Sequence, residues 1–302
     1  LKTYMKRDNA HGLLHVGSWF VMLIALGTFA YYSTNNLVCI IFFLFYGVLY
    51  SSCNAIWHEC SHGTPFKTMF INEVVFFITT AMEQRDIVLT RWSHAKHHSY
   101  TSYTDYDVEL SVKRPPNLWI VILNIFNIKS GIKSSLGLIS HSFGILSPVA
   151  KDVVPTEEHN KLFFWSRITL LTYIITIISC IIFKTWLPLL LYGLPRYYGG
   201  FVQGLLILTQ HAGLDQNVAD HRLNSRTIYL NPILGYLYMN MQYHVEHHIY
   251  PSIPFYQLPK LHQYIKNQLP NPYYGLLDTY KELIKTLLKQ RKDVNYFINR
   301  RS

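Results

Sequence analysis

Two stretches near the start of the chain are nearly free of charge over a membrane's thickness, residues 12–32 and 36–57. About twenty apolar residues suffice to cross the hydrocarbon of a bilayer. The short polar turn Ser33-Thr34-Asn35 between them predicts a transmembrane hairpin. A third span is predicted over 162–183, with Arg167 near its start, and a fourth over 186–210. The fourth is the weakest, because it carries Pro188, Pro195, Arg196 and the pair Gly199-Gly200. The apolar run 70–82 is about half a membrane long and reads as an interfacial or re-entrant helix. Runs 118–128 and 134–146 look similar, broken by Asn124, Asn127, Gly131 and Gly137, and prolines at 115–116 and 148–155 mark loops. Segments 259–269 and 280–288 have helical periodicity with lysines on one side, and predict amphipathic helices lying over the site or on the lipid surface. The expected fold is therefore an all-α integral membrane protein: about four spans, a cytosolic insert over 58–161 and a cytosolic tail over 211–302, in one domain.

Composition agrees with that reading. Of 302 residues, 50% are hydrophobic and only 15% charged, and a core helix of a soluble protein rarely runs so long without charge. A cleaved signal peptide fits the first segment poorly, since no small-residue cleavage site follows and a second span comes at once. The placement of charge says more than the net +10. Lys2, Lys6 and Arg7 precede the first span; the loop from Glu83 to Arg114 carries Arg85, Arg91, Lys96, Lys113 and Arg114; nine Lys or Arg against three acids follow Gln257. The connections predicted on the opposite side hold one charge, Lys184. Positive residues stay inside, so both termini are expected on the cytoplasmic face, which four spans allow. The basic tail suits an anionic leaflet; no signature of nucleic-acid binding accompanies it. Cys39, Cys53, Cys60 and Cys180 show no paired spacing, which argues against a disulfide framework or a zinc ribbon.

The chemistry lies in the histidines. Three clusters sit just outside apolar stretches: His58-Glu59-Cys60-Ser61-His62, His94-Ala95-Lys96-His97-His98 and His244-Val245-Glu246-His247-His248, with His211 between the second and third. Residues three and four apart share a helix face, so each cluster can present a row of imidazoles, ligands suited to iron, copper, zinc and nickel. Eight nitrogens are too many for one ion, and the ninth makes the count fit two. The first cluster also satisfies HExxH, the short zinc-protease pattern, in which Glu59 would be a general base. A protease needs one further ligand, however, and two more clusters lie on the same side. A metal transporter would place its site near the midplane between broken helices, whereas these clusters lie outside the spans. His11, His15, His141, His159 and His262 are scattered and read as structural; His221 is the closest of the remainder to a ligand or supporting role.

The spacings HxxxH, HxxHH and HxxHH, with paired spans and a cytosolic site, resemble the membrane di-iron family of fatty acid desaturases, alkane hydroxylases and carotenoid oxygenases. The resemblance covers most of the chain, from about Leu13 to His262. The stretch from Asn240 to His248, followed by Tyr250-Pro251 and Pro254-Phe255-Tyr256, looks most like a bacterial branch holding desaturase-like and rhizopine-oxygenase-like proteins. The resemblance implies that His58, His62, His94, His97, His98, His244, His247 and His248 ligate two irons. The segment Gln210-His211-Ala212-Gly213-Leu214 resembles the isolated histidine segment before the third box, which makes His211 the ninth ligand. It further implies O2 as co-substrate, a fatty-acyl desaturase activity or, alternatively, a hydroxylase or monooxygenase acting on an alkane or a small polar amine or inositol derivative. With no flavin, haem or ferredoxin signature in the chain, electrons are expected from a partner: a ferredoxin or rubredoxin with its reductase, or a cytochrome b5-like protein. The lipid bilayer and an acyl-lipid substrate complete the expected partners.

Uncharged ligands leave the ions' charge uncompensated, so carboxylates should gather behind them. Nine of seventeen acids lie close to a box or to His211: Glu59, Glu83, Asp86, Asp105, Asp107, Glu109, Asp215, Asp220 and Glu246. Glu59 and Glu246, inside the boxes, are the best candidates to accept a ligand's outer N–H, with Asp105, Asp107 and Asn240 as further candidates. Asp105, Asp107 and Glu109 could instead cap a helix or bind Arg222 or Arg226.

Overall fold

A computed structural model describes residues 1–34 and 36–300; Asn35 of the predicted turn, Arg301 and Ser302 lie outside them. Helix α1 (Asn9–Tyr32) starts at Asp8, whose carboxylate accepts the His11 N–H and satisfies one of the open donors of the first turn. Helices α2 (Val38–Ser51) and α3 (Cys53–Ser61) run on as one apolar span of 24 residues, Val38–Ser61. The second span thus does not end at residue 57 but continues through the first histidine box. The Trp19 indole N–H joins it to α1, donating to Leu49 O at 3.0 Å and Ser52 Oγ at 2.8 Å.

Helix α4 (Met69–Met82) packs on α3 and is too short to cross a bilayer, as its length implied. Helix α5 (Ile87–Ser99) follows, then α6 (Leu118–Ile125) and α7 (Ile128–Ser142), parted by Asn127 at φ 58°. After α8 (Pro148–Val153), helix α9 (His159–Ile182) forms the other long apolar helix, continuous with a short turn from Thr156. Helices α1 and α9 turn many large apolar side chains outward, Leu14, Val21, Ile24, Ile175 and Ile181 among them. Lipid is the solvent that tolerates this.

The fourth predicted span departs from a regular helix. It is divided into α10 (Leu187–Leu191), α11 (Pro195–Tyr198) and α12 (Phe201–His211), so three helices among the described residues are long and apolar enough to cross a membrane. The breaks fall at Gly193, with φ 101°, and at Gly199-Gly200. Packing explains the second break. A Cβ on Gly199 would lie 1.9 Å from the carbonyl carbon of Gly47, so glycine at both positions lets α11 and α2 meet backbone to backbone. Arg196 in this segment is fully buried, donating to Ser134 Oγ at 3.0 Å and to the Glu83 carbonyl.

Beyond α12 the elements are short: α13 (His221–Asn224), β1 (Ile228–Tyr229), α14 (Pro232–Leu237), α15 (His244–Ile249), α16 (Leu258–Ile265), β2 (Tyr273–Tyr274) and α17 (Gly275–Gln290). Both amphipathic tail helices foreseen in the sequence are present, as α16 and α17. Strands β1 and β2 form a two-residue parallel pair that no sequence pattern announced.

Candidate metal centre

Three helix ends and one isolated residue bring nine imidazoles together. His58 occupies the last turn of α3 and His62 its C-cap. His94, His97 and His98 fill the last two turns of α5, whose N-terminus is fixed by Asp86 accepting the Val88 and Leu89 N–H groups at 2.9 and 3.1 Å. His211 ends α12, and His244, His247 and His248 lie on α15. These rings divide into two neighbouring groups, each with ligand nitrogens within 4.8 Å of one another: His58, His62, His94, His98 and His247 in one, His97, His211, His244 and His248 in the other.

The division follows helix geometry. The pairs four apart, His58/His62, His94/His98 and His244/His248, each stay within one group, while the histidine three after the first, His97 or His247, turns to the other. Boxes two and three therefore each serve both groups. The stacked rings of His98 and His248, 4.2 Å between centroids, mark where the two groups meet.

Inside each group the Nε2 atoms converge. His58 and His247 are 2.8 Å apart, His62 and His94 3.0 Å, and His94 and His98 3.1 Å. In the second group His211 and His244 are 2.9 Å apart and His244 and His248 3.0 Å. Two nitrogens bound at about 2.1 Å to one ion lie about 3.0 Å apart at a right angle and about 3.4 Å apart at the tetrahedral angle. The spacing suits a five- or six-coordinate ion better than a tetrahedral zinc.

The outer nitrogens explain why lone pairs point inward. His97 Nδ1 donates to Asp107, 3.0 Å from both carboxylate oxygens, and His94 Nδ1 donates to Glu109 at 3.1 Å. His211 Nδ1 donates to the Asn224 carbonyl at 2.8 Å. Thr101 spends its hydroxyl proton on His97 O, so it accepts from His248 Nδ1 at 3.1 Å. With the proton on Nδ1, Nε2 offers only a lone pair. Lone pairs facing each other at 3 Å repel unless a cation lies among them, so the donor set fits metal ions. Burial and the neighbouring imidazoles push His62, His94, His98, His244, His247 and His248 well below the usual histidine range, keeping them neutral at pH 7. His97 goes the other way: burial pulls it down, but the Asp107 bond and charge outweigh that and raise it.

The other predicted positions are placed as follows. Glu59 is fully buried and faces His247 Nδ1 at 3.8 Å, beyond hydrogen-bond range, while its other oxygen accepts Thr64 Oγ1 at 2.6 Å. Glu246 belongs to neither imidazole group and accepts from His262 Nδ1 and from Thr227 Oγ1. Asp105 is exposed, with no hydrogen bond to a histidine among the described residues. Asn240, at φ 58°, donates to Phe255 O at 3.1 Å and belongs to neither group. Arg222 pairs with Asp220, and Arg226 is buried against the Thr209 and Ala212 carbonyls, so neither binds the 105–109 acids. His221 stands beside His248, 5.2 Å between rings, outside both groups. Thr101 and Asn224 went unsingled in the sequence, and Glu109 was named among the nine nearby acids but not among the best candidates to accept a ligand's N–H. Glu109 could have been found by its place fifteen residues after His94 in an acid-rich loop; Asn224 acts through its backbone and leaves no signal.

A helical chain with apolar spans, one of which ends in the first of two joined sets of mostly buried imidazoles, defines a membrane protein with a candidate paired-metal centre. The family model for fatty acid desaturases matches residues 34–280, and the chain belongs to that family. It is 24% identical over 228 residues to a fatty acid desaturase of Bacillus subtilis, covering 69% of this chain and 63% of that protein. A delta(9) fatty acid conjugase-like enzyme of Dimorphotheca sinuata is 24% identical over 94% of this chain and 80% of its own length. A delta(4)-desaturase of sphingolipids from Arabidopsis thaliana is 23% identical over 89% and 69%. The protein is thus an oxidoreductase of the desaturase class, and the HExxH protease and transporter readings lose their ground.

Proposed function

We propose that this protein is a di-iron, O2-dependent acyl-lipid desaturase with its centre at the cytoplasmic membrane boundary. The observation that carries the reading is the pair of adjoining imidazole groups, five and four strong, with inward lone pairs. His58, His62, His94, His98 and His247 would hold one iron and His97, His211, His244 and His248 the other. Bound iron would supply the oxidising power, drawn from O2, to take hydrogen from an unactivated C–H bond.

The chain's own residues do the rest. Nine uncharged ligands leave the ions' charge to the protein, and Asp107 and Glu109 behind His97 and His94 place compensating carboxylates one ring away. Seven of the nine rings are less than one-tenth exposed, which keeps bulk water from the reacting carbon. The balance of a desaturation is two hydrogens from the substrate, two electrons and two protons from outside, and O2 leaving as two waters. The electrons need a carrier protein, and the basic cytoplasmic face suits an acidic one by steering. The helix carrying the first box is the end of the apolar span Val38–Ser61, which favours a substrate delivered from the bilayer.

Purified protein should contain about two irons per chain, and His97→Ala should lower that content. Expressed in cells with a reductase and carrier, it should introduce double bonds into membrane acyl chains. One zinc per chain, indifferent to changes at His97 or His247, would return the protease reading. Unchanged acyl composition with turnover of an amine or inositol derivative would make it a small-molecule oxygenase.

A further inference from the structure

Helix α15 bears three of the nine imidazoles and is six residues long, preceded by Met239 and Asn240 at positive φ and capped by no side chain. A helix this short has no stability of its own. It nonetheless sets both halves of the centre, since His247 belongs to one group and His244 and His248 to the other. Something must fix its rotation from behind. Glu246 lies about 200° round the helix from His244 and His248, and its carboxylate is fully buried on the far side. There it accepts from Thr227 Oγ1 at 2.6 Å and from His262 Nδ1 on α16. Thr227 is itself fixed, pairing with Tyr243 and accepting Tyr273 N at 3.1 Å. His262 is 1% exposed, and its Nε2 meets the Tyr229 hydroxyl at 2.7 Å.

We infer that His262 is a positioning residue for the metal centre: through Glu246 it locks α15 from the side opposite the metals, and so sets the aim of His244, His247 and His248 together. This inference rests on the desaturase reading only in taking those three histidines as ligands. Tyr229 forms the outer end of the chain of bonds and is not required, because the lock runs through Nδ1.

The test is ferrous-iron titration of chelator-treated full-length protein in detergent, with metal content, the Mössbauer signature of the iron pair and thermal unfolding read together. Wild-type protein is measured first; if it does not take up about two irons, the functional reading fails, whatever His262 does. Given two irons in wild type, His262→Ala should weaken iron binding roughly 10-fold or more and broaden or shift the signature of both irons. His262→Asn keeps an N–H donor near the Nδ1 position and should restore most of both; His262→Gln puts its donor nearer Nε2 and should not. Glu246→Gln leaves one acceptor oxygen for two donors and should weaken iron binding in the same sense as His262→Ala, whereas Tyr229→Phe should change neither readout. A His262→Ala protein with normal uptake and an unchanged signature overturns the proposal, even if its unfolding temperature falls. Should His262→Ala fail to fold, the Asn and Gln variants decide: equal behaviour of the two overturns it.

Discussion

Asp107 does more for the imidazole cluster than its place behind a single ring suggests. Its two oxygens face His97 Nδ1 and also accept the backbone N–H groups of Ser102 at 2.8 Å and Glu109 at 2.9 Å. One carboxylate thus shapes the loop after α5, fixes the His97 tautomer and supplies negative charge behind a neutral ligand. Asp107→Asn keeps the size but removes the charge and one acceptor, since its amide nitrogen must face either the Ser102 or the Glu109 N–H. Iron affinity should fall about 10- to 100-fold, measured by ferrous titration, while Asp105→Asn, two residues away and exposed, should leave it unchanged. Equal effects at 105 and 107 would show that loop charge in general, not the His97 contact, is what matters. From sequence the two aspartates were indistinguishable. Both lie within ten residues of a box, and only the turn made by residues 100–107 decides which one faces His97.

The helices show what could be read in advance and what could not. Eight of the histidines stood out because helical spacing repeats in three clusters, His211 only through the resemblance, and α1 and α9 because charge is missing over a bilayer's width. Which ring joins which group was not legible: His97 and His98 are adjacent in the chain yet about 100° apart on α5, and only the crossing of α3, α5 and α15 assigns them to different groups. The interrupted fourth segment was visible through its prolines and glycines, but its cause, Gly199 against Gly47, is a contact across 152 positions that no local pattern holds. That contact makes a prediction. Gly199→Ala would set a Cβ 2.4 Å from the Gly47 Cα, an overpacking that costs roughly 1–3 kcal/mol, and should lower the unfolding midpoint in detergent. Gly17→Ala in α1 meets nothing within 4 Å, and by helix propensity should be neutral or stabilising by up to about 1 kcal/mol. A Gly199→Ala protein as stable as wild type would mean that α11 is free to move away from α2.

Across the whole molecule, assembling the centre means taking many imidazoles out of water at once, and this ties folding to pH. His62, His94, His98, His244, His247 and His248 are held below the ordinary histidine value of about 6.5 in the folded chain by burial first and by each other second. Below pH 6.5 the unfolded chain binds their protons and the folded chain does not, so their contribution is complete above pH 6.5 and is lost as the pH falls towards their depressed values. His97 has the opposite sign: its folded value is raised, so its contribution is complete below pH 6.5 and fades as the pH rises through that value. Six groups oppose one, and each can contribute at most about 1.4 kcal/mol per pH unit. Chelator-treated protein should therefore unfold at a clearly lower temperature at pH 5.5 than at pH 7.5. Iron should hold the difference off at first, because metal and proton compete for the same nitrogens, and then be released as acid wins. Replacing His98 with Gln removes one of the six and should flatten the acid limb of the metal-free protein. A metal-free protein equally stable at both pH values would mean that these rings are already open to solvent and protons when no metal is bound.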